Sequence, residues 1–272
     1  MVRRLILNAD DYGLSAEINA AVEELIAAGR LRDVSVLANG DLWAASARFL
    51  RRHPHLSAGA HLNAVEGRPV SPASEVRPLI GADGLFVGLR SLMTRWMLHP
   101  SAVRRALEIE WRAQLERLRD AGLSLSHADS HQHFHAFPPA WKCAVELCAE
   151  FGIPALRLPR EKNALPIRRA GAFALSASLM ASALTASSRK LRHNDHFLGF
   201  KRAGLYGLEA LLADLKTLQP GVTEIALHPS TADGAPYPHL LGDGERRALL
   251  SPSLVEQCAA LGIELTTWRE IA

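Results

Sequence analysis

The sequence predicts an α/β fold: a closed or partly closed (β/α) barrel of seven or eight parallel strand–helix units, forming a single domain over residues 1–272. Three observations carry that prediction. Short apolar runs alternate with helical patterns along the chain, which implies parallel strands covered by helices. The number of such units favours a closed or partly closed barrel over an open sheet. Acidic and imidazole side chains recur where the strand runs end, and in parallel units those ends share one rim.

The elements follow in order. RRLILN at 3–8 is the first strand, and SAEINAAVEELIAAG at 15–29 the first helix. Ile18, Val22, Leu25 and Ile26 mark one face of that helix, Ser15 is placed to cap it and Gly29 to end it. DVSVLAN at 33–39 is a strand, followed by a helix over 42–52 that stops before Pro54. LSAGAHLN at 56–63 is the third strand. A long helix over 101–122, the strand LSLSHAD at 123–129, a helix from Pro138 to Glu150 and the strand IPALRLP at 153–159 come next. The last third holds a weak strand HNDHFLG at 193–199, a helix in 204–218, the strand TEIALHP at 223–229, a helix over 251–261 and a final strand IELTTW at 263–268.

Two regions break the rhythm, 62–100 and 158–192, and loops of this length in a compact domain are usually functional; both are expected to bind substrate. The second contains AGAFALSASLMASALTASS at 170–188, uncharged for nineteen residues between basic pairs. Its alanine and serine content gives a poor transfer energy for a membrane span, so a packed or lid helix is expected, with shallow membrane contact as the lesser option.

Composition narrows the class. Hydrophobic residues make up 48% and charged residues 22%, ordinary for a globular protein with a full core. A net charge of +3 with no long basic run argues against nucleic acid. The three cysteines fit neither a disulfide framework nor a zinc–cysteine site and read as reduced core thiols. The N-terminus lacks the apolar stretch of a signal peptide, so a cytoplasmic location is expected. Oligomeric state is not legible, and a homo-oligomer stays open.

The informative residues are Asp10–Asp11 after the first strand, His61 at the end of the third, and Asp129, His131, His133 and His135 in HADSHQHFHAF, with His228 closing TEIALHP. Carboxylate oxygens with two or more imidazoles suit a divalent cation such as Zn²⁺, Mn²⁺, Fe²⁺, Co²⁺ or Mg²⁺. Such a cation can hold one of the paired aspartates ionised while its neighbour acts as a base toward water. Blander readings compete: the aspartates as a helix cap, the histidine run as a solvated loop, and His61 or His228 as structural histidines. Alternate histidines point the same way only on extended backbone. Arg157 and Arg160, just past a strand, could hold a substrate hydroxyl, carboxylate or phosphate, with ordinary surface arginine as the equal alternative. Trp96, Phe134 and Phe137 could wall a sugar ring or simply pack in the core. No Gly-rich turn follows the first strand and no G-x-S-x-G elbow occurs, so dinucleotide, P-loop and serine-hydrolase chemistry are unsupported.

NADDYGLS at 8–15, GAHLN at 59–63, DSHQHFHAFP at 129–138 and TEIALHPS at 223–230 together resemble the YdjC-like carbohydrate deacetylases. That resemblance implies a deformed (β/α) barrel that removes N-acetyl groups from sugars with a divalent metal, commonly Mg²⁺ or Zn²⁺. It implies Asp11, His61 and His131 as metal ligands, Asp10 as general base, and His228 as an acid or oxyanion stabiliser. Asp129 and His133 would then orient the ligand imidazoles. LRLPRE and HNDHFLGFKRAG are most similar to the branch associated with hopanoid biosynthesis. This implies an N-acetylglucosaminyl lipid substrate and transient contact with a membrane surface. Rival expectations are a diacetylchitobiose-type substrate, another metal hydrolase such as a phosphoesterase, and a metal-dependent sugar-binding protein without catalysis.

Overall fold

The computed structural model describes residues 2–161, 190–200, 202–234, 237, 238 and 240–272. The uncharged segment 170–188, and most of the expected loop 158–192, lie outside the described residues.

Seven strands form one parallel sheet among the described residues: β1 (Arg3–Tyr12), β2 (Asp33–Val36), β3 (Ser57–Leu62), β4 (Leu125–Ser130), β5 (His196–Leu198), β6 (Gly221–Leu227) and β7 (Ile263–Leu265). The spatial order is β4-β3-β2-β1-β6-β5, and β7 pairs with the N-terminal end of β1. β1 is central. It is buried from Leu5 to Tyr12, as expected of a parallel strand covered on both faces. One edge of β1 pairs with β6 over seven residues, and the opposite edge is divided between β7 and β2.

Among the described residues, the sheet continues beyond β4 only through single-residue parallel bridges, Ala128 to Leu156 and Ala155 to Arg192. The strand expected at 153–159 is thereby reduced to two bridging residues. Pro154 and Pro159 supply no amide donor at either end, so no ladder can extend through them. The bridges nevertheless bring the segment after β4 round toward the chain that enters β5, which curls the sheet into a part-closed barrel.

Helices α1 (Ala16–Ala27), α2 (Trp43–Arg52), α3 (Leu89–Leu98), α4 (Pro100–Asp120), α5 (Pro138–Glu150), α6 (Leu208–Leu215), α7 (Gly242–Leu250), α8 (Pro252–Ala260) and α9 (Trp268–Ile271) accompany the strands. The cap read from the sequence is present: Ser15 Oγ accepts from the Ile18 amide at 3.3 Å, and Gly29 adopts φ 68° after the last turn. α3, α7 and α9 were not expected. α3 lies inside the 62–100 region, where prolines and glycines obscure any helical period in the flanking sequence.

α4 organises that region. It buries Val103, Leu107, Trp111, Leu115 and Leu118, and also two polar residues, Glu110 and Gln114. The Glu110 carboxylate accepts from the amides of Val70 (2.8 Å) and Ser71 (2.9 Å). Gln114 accepts from the Asn63 amide at 2.9 Å and donates to the Asn63 carbonyl at 2.6 Å. The chain leaving β3 is therefore tied to a buried helix face rather than to solvent.

Trp96 and Phe134 pack edge-on against each other and onto Phe137 and Trp111, so these aromatics belong to the core and do not wall the rim. Cys143, Cys148 and Cys258 are buried and free. No helix among the described residues is long and apolar enough to cross a membrane.

Candidate metal centre

The site begins with an irregularity in β1. Ala9 is in register with Val34 and Tyr12 with Val36, so three steps of β1 oppose two of β2. The extra residue is accommodated with Asp11 at φ 62°, a left-handed conformation that aspartate tolerates better than most residues. The sequence places both aspartates just after the strand, whereas the strand runs on through them as a bulge. A bulge turns successive side chains away from simple alternation, and Asp10 and Asp11 acquire separate sets of partners.

Asp11 meets two imidazoles. Its Oδ1 lies 2.8 Å from His131 Nδ1 and 3.2 Å from His61 Nε2. His61 comes from the end of β3 and His131 from the first position after β4. Asp11, His61 and His131 are all buried, and one ligand atom from each lies within 4.8 Å of the others. Burial raises the Asp11 carboxyl, but His131 and His61 outweigh it and hold the group well below its ordinary value. The converse applies to the rings. Burial lowers both, yet Asp129, Asp10 and Asp11 carry His61 up to about 10, and Asp11 with Glu66 carries His131 up to about 9.

Each imidazole is also held from its far side by a carboxylate. Asp129 Oδ1 lies 2.7 Å from His61 Nδ1, and Glu66 Oε2 lies 3.2 Å from His131 Nε2. A carboxylate only accepts, so the facing ring nitrogen carries the hydrogen. Asp129 is fully buried and also accepts from Ser35 Oγ at 2.7 Å. Burial raises its carboxyl, but Arg157 and His61 more than reverse this.

Asp10 is turned to Arg157, which donates Nη1–H to Oδ2 and Nη2–H to Oδ1, both at 2.7 Å. Asn8 Nδ2 donates to the same Oδ1 at 2.7 Å. Arg157 is completely buried and additionally pairs with Asp129 (2.7 Å) and Glu224 (2.8 Å). Both readings of Arg157 as a substrate clamp or a surface residue therefore give way to a third: it is the internal countercharge of three carboxylates. The sheet bridges at 155–156 carry it inward, a non-local consequence of barrel curl. Arg160 is half-buried and is not among the partners of this group.

The histidine run does not act as a row. Gln132 and His133 adopt φ 51° and 52°, so the backbone is tightly turned and the three rings diverge. His131 faces Asp11. His135 is structural, with Nδ1 2.6 Å from Ser130 Oγ and Nε2 3.0 Å from the Arg157 carbonyl. His133 lies against Phe197 and Phe200, and its Nδ1 is buried without a hydrogen-bond partner among the described residues. Burial, with Arg157 nearby, drives its pKa well below the ordinary value. His228 Nδ1 is likewise buried without a hydrogen-bond partner among the described residues, while its backbone amide donates to Glu245 Oε2 at 2.5 Å. Burial lowers the His228 pKa, and Asp11 and Asp10 pull against that shift.

Sequence reasoning missed Asn8, Ser35, Glu66 and Glu224. Asn8 and Glu224 are polar residues inside apolar strand runs, a signal that was there to be read. Glu66 carried no such signal, because its role depends on how the loop after β3 folds back.

The donor set fits a divalent cation: one carboxylate oxygen and two imidazole nitrogens converge, and the outer nitrogen of each ring is held by an acceptor. The family model described as YdjC-like protein matches residues 4–260. Carbohydrate deacetylase of Homo sapiens is 31% identical, with 96% of this chain and 89% of that one covered. Carbohydrate deacetylase of Geobacillus stearothermophilus is 28% identical, with 99% and 98% covered. Among solved structures, an Enterococcus faecalis protein assigned to cellobiose-phosphate cleavage superposes with a TM-score of 0.81 over the full length of both chains at 21% identity, a likeness of fold.

Proposed function

Because the chain belongs to the YdjC-like protein family, we propose that it is a metal-dependent carbohydrate deacetylase that hydrolyses the N-acetyl group of an amino sugar. The observation that carries this reading is the convergence of Asp11, His61 and His131 beside a second, separately held carboxylate, Asp10. Asp11, His61 and His131 would hold the cation, with Zn²⁺ or Mg²⁺ both compatible with the donor set. A cation there supplies Lewis acidity toward water and the acetyl carbonyl.

The protein's own groups divide the remaining work. Asp10 Oδ1 is taken by Asn8 and Arg157, whereas Oδ2 accepts only from Arg157 among the described residues. Oδ2 therefore has capacity to take a proton from the attacking water, and the two-point contact to Arg157 fixes its direction. His228, with a buried nitrogen that lacks a hydrogen-bond partner among the described residues, serves the oxyanion or the departing amine. Asp129 keeps a hydrogen on His61 Nδ1, which leaves Nε2 as the nitrogen that would face the cation. The buried setting strengthens each of these interactions over its value in water.

Acetate release from N-acetylglucosamine oligomers tests the reading. Turnover should disappear on chelation and return on adding back a divalent cation. Release of phosphate from phosphoesters in place of acetate would favour a phosphoesterase. Tight sugar binding with no released acetate would favour a binding protein.

For the substrate's aglycone we propose a lipid of the hopanoid type, on the likeness of LRLPRE and HNDHFLGFKRAG to that branch. The two segments form one unit: Asn194 accepts from the Leu158 amide at 2.7 Å and donates to its carbonyl at 2.9 Å, and Glu161 accepts from the Phe200 amide at 2.9 Å. A lipid-linked substrate brings the enzyme to a membrane surface transiently. Faster deacetylation of N-acetylglucosaminyl lipid than of diacetylchitobiose supports this choice, and equal or slower rates remove it.

A further inference from the structure

The two histidines of the candidate centre are held in the same way, but only one of the holding groups comes from the barrel. Asp129 on β4 takes the outer nitrogen of His61. The outer nitrogen of His131 is taken by Glu66, from the loop that follows β3. The Glu66 side chain is 41% exposed, whereas Asp129 is fully buried. Its main chain is nonetheless fixed. Asn63 Oδ1 accepts from the Glu66 amide at 3.2 Å, and the Glu66 carbonyl accepts from Asn63 Nδ2 at 2.9 Å and Asn39 Nδ2 at 3.1 Å. Asn63 is itself locked to Gln114 through both its amide and its carbonyl. Tyr237 closes the group, with its hydroxyl 3.4 Å from the same His131 Nε2 and within hydrogen-bonding reach of Glu66.

The geometry distinguishes a ligand from a group that orients one. His131 Nδ1 faces Asp11 at 2.8 Å, and Nε2 lies on the opposite side of the ring toward Glu66. Glu66 belongs to neither set of converging donor atoms found among the described residues. Resting on the metal-centre reading above, we propose that Glu66 is the positioning residue of His131: it accepts the Nε2–H and so leaves Nδ1 as the nitrogen that turns to the cation, beside Asp11. β3 then orients both imidazoles, His61 by carrying it and His131 through Asn63 and Glu66. The loop that the sequence marks as a substrate loop also sets the metal affinity, which couples rim contacts to the centre.

Cobalt affinity of the metal-free protein, measured by competition with a chelator, tests this on wild type, E66Q and E66A. E66A should bind Co²⁺ about tenfold or more weaker, within the range of about 10- to 100-fold typical of such orienting groups. E66Q should fall between, since its amide carbonyl still accepts the Nε2–H without the charge. The metal-free fold should persist with at most a small fall in melting temperature, because Asn63 and Asn39 grip the main chain and only the carboxylate's contact with His131 is lost. In the zinc-loaded protein, ¹⁵N shifts should show His131 protonated at Nε2 and ligated at Nδ1. Wild-type affinity in both variants, or ligation through Nε2, overturns the assignment while leaving the metal centre intact. A wild-type protein that binds no Co²⁺ removes the metal-centre reading itself, and the assignment with it.

Discussion

Asp10 and Asp11 are adjacent in sequence yet share no hydrogen-bond partner among the described residues: one is gripped by Arg157 and Asn8, the other by His61 and His131. The φ of 62° at Asp11 makes this separation geometrically available. Asp10→Asn retains shape and loses the basic oxygen. It should keep stoichiometric metal and reduce turnover about a hundredfold or more, the usual contribution of a general base. Metal content and acetate release measured on the same sample check both halves, and near-full activity would reassign the base. That acidic and imidazole residues gather at one rim was legible because strand ends in parallel units face it, whereas the choice of Asp11, His61 and His131 among them came from the resemblance alone. The direction of Arg157 was not, since it depends on which chain segment bridges to β4.

Among the elements, β3 and β4 show how little room the inner layer leaves. A Cβ on Gly59 would lie 2.3 Å from His127 Nε2. That ring is fully buried, stacks on Trp268 at 5.2 Å between centroids, and contacts Ser35 Oγ at 3.1 Å, the hydroxyl that also serves Asp129. Burial pushes the His127 pKa down to about 3, so a neutral ring fills this layer. Gly59→Ala should therefore destabilise the fold by about 1–3 kcal/mol, the usual cost of overpacking. Chemical denaturation measures it, and an unchanged midpoint would contradict the packing described here. Helix limits such as Pro138–Glu150 were readable from prolines and apolar period. The fate of 153–159 was not, because its prolines decide between strand and bridge only once β4 offers a partner.

At the scale of the whole molecule, a chain of buried polar contacts runs from the centre through Arg157 to Asp33. Below the centre, Arg157 reaches Glu224, which also accepts from Trp268 Nε1 at 3.1 Å, and the Trp268 amide donates to Asp33 at 2.8 Å. Burial raises the Asp33 carboxyl to about 8, with Glu224 adding to the shift. Unfolded, an aspartate ionises near pH 4. Between these values the folded protein holds the extra proton, so the stability that Asp33 contributes is complete below about pH 4 and is lost as pH rises through about 8. Asp33→Asn keeps a carbonyl acceptor for the Trp268 amide and cannot ionise. Its fall in melting temperature between pH 5 and pH 9 should be smaller than that of wild type by at least about 2–4 °C, the shift that 1 kcal/mol produces in a domain of this size. Equal falls in the two proteins would place the ionisation elsewhere.

The claim on which the whole account turns is that β1, β3 and β4 deliver three distant side chains to one cation. Anomalous scattering from crystals grown with Co²⁺ or Zn²⁺ tests it most directly. The account predicts one strong peak bonded to Asp11, His61 and His131, with Asp10 close by but bound to Arg157. A peak held by other residues, or none at saturating metal while these three side chains keep their hydrogen bonds to each other, would contradict it.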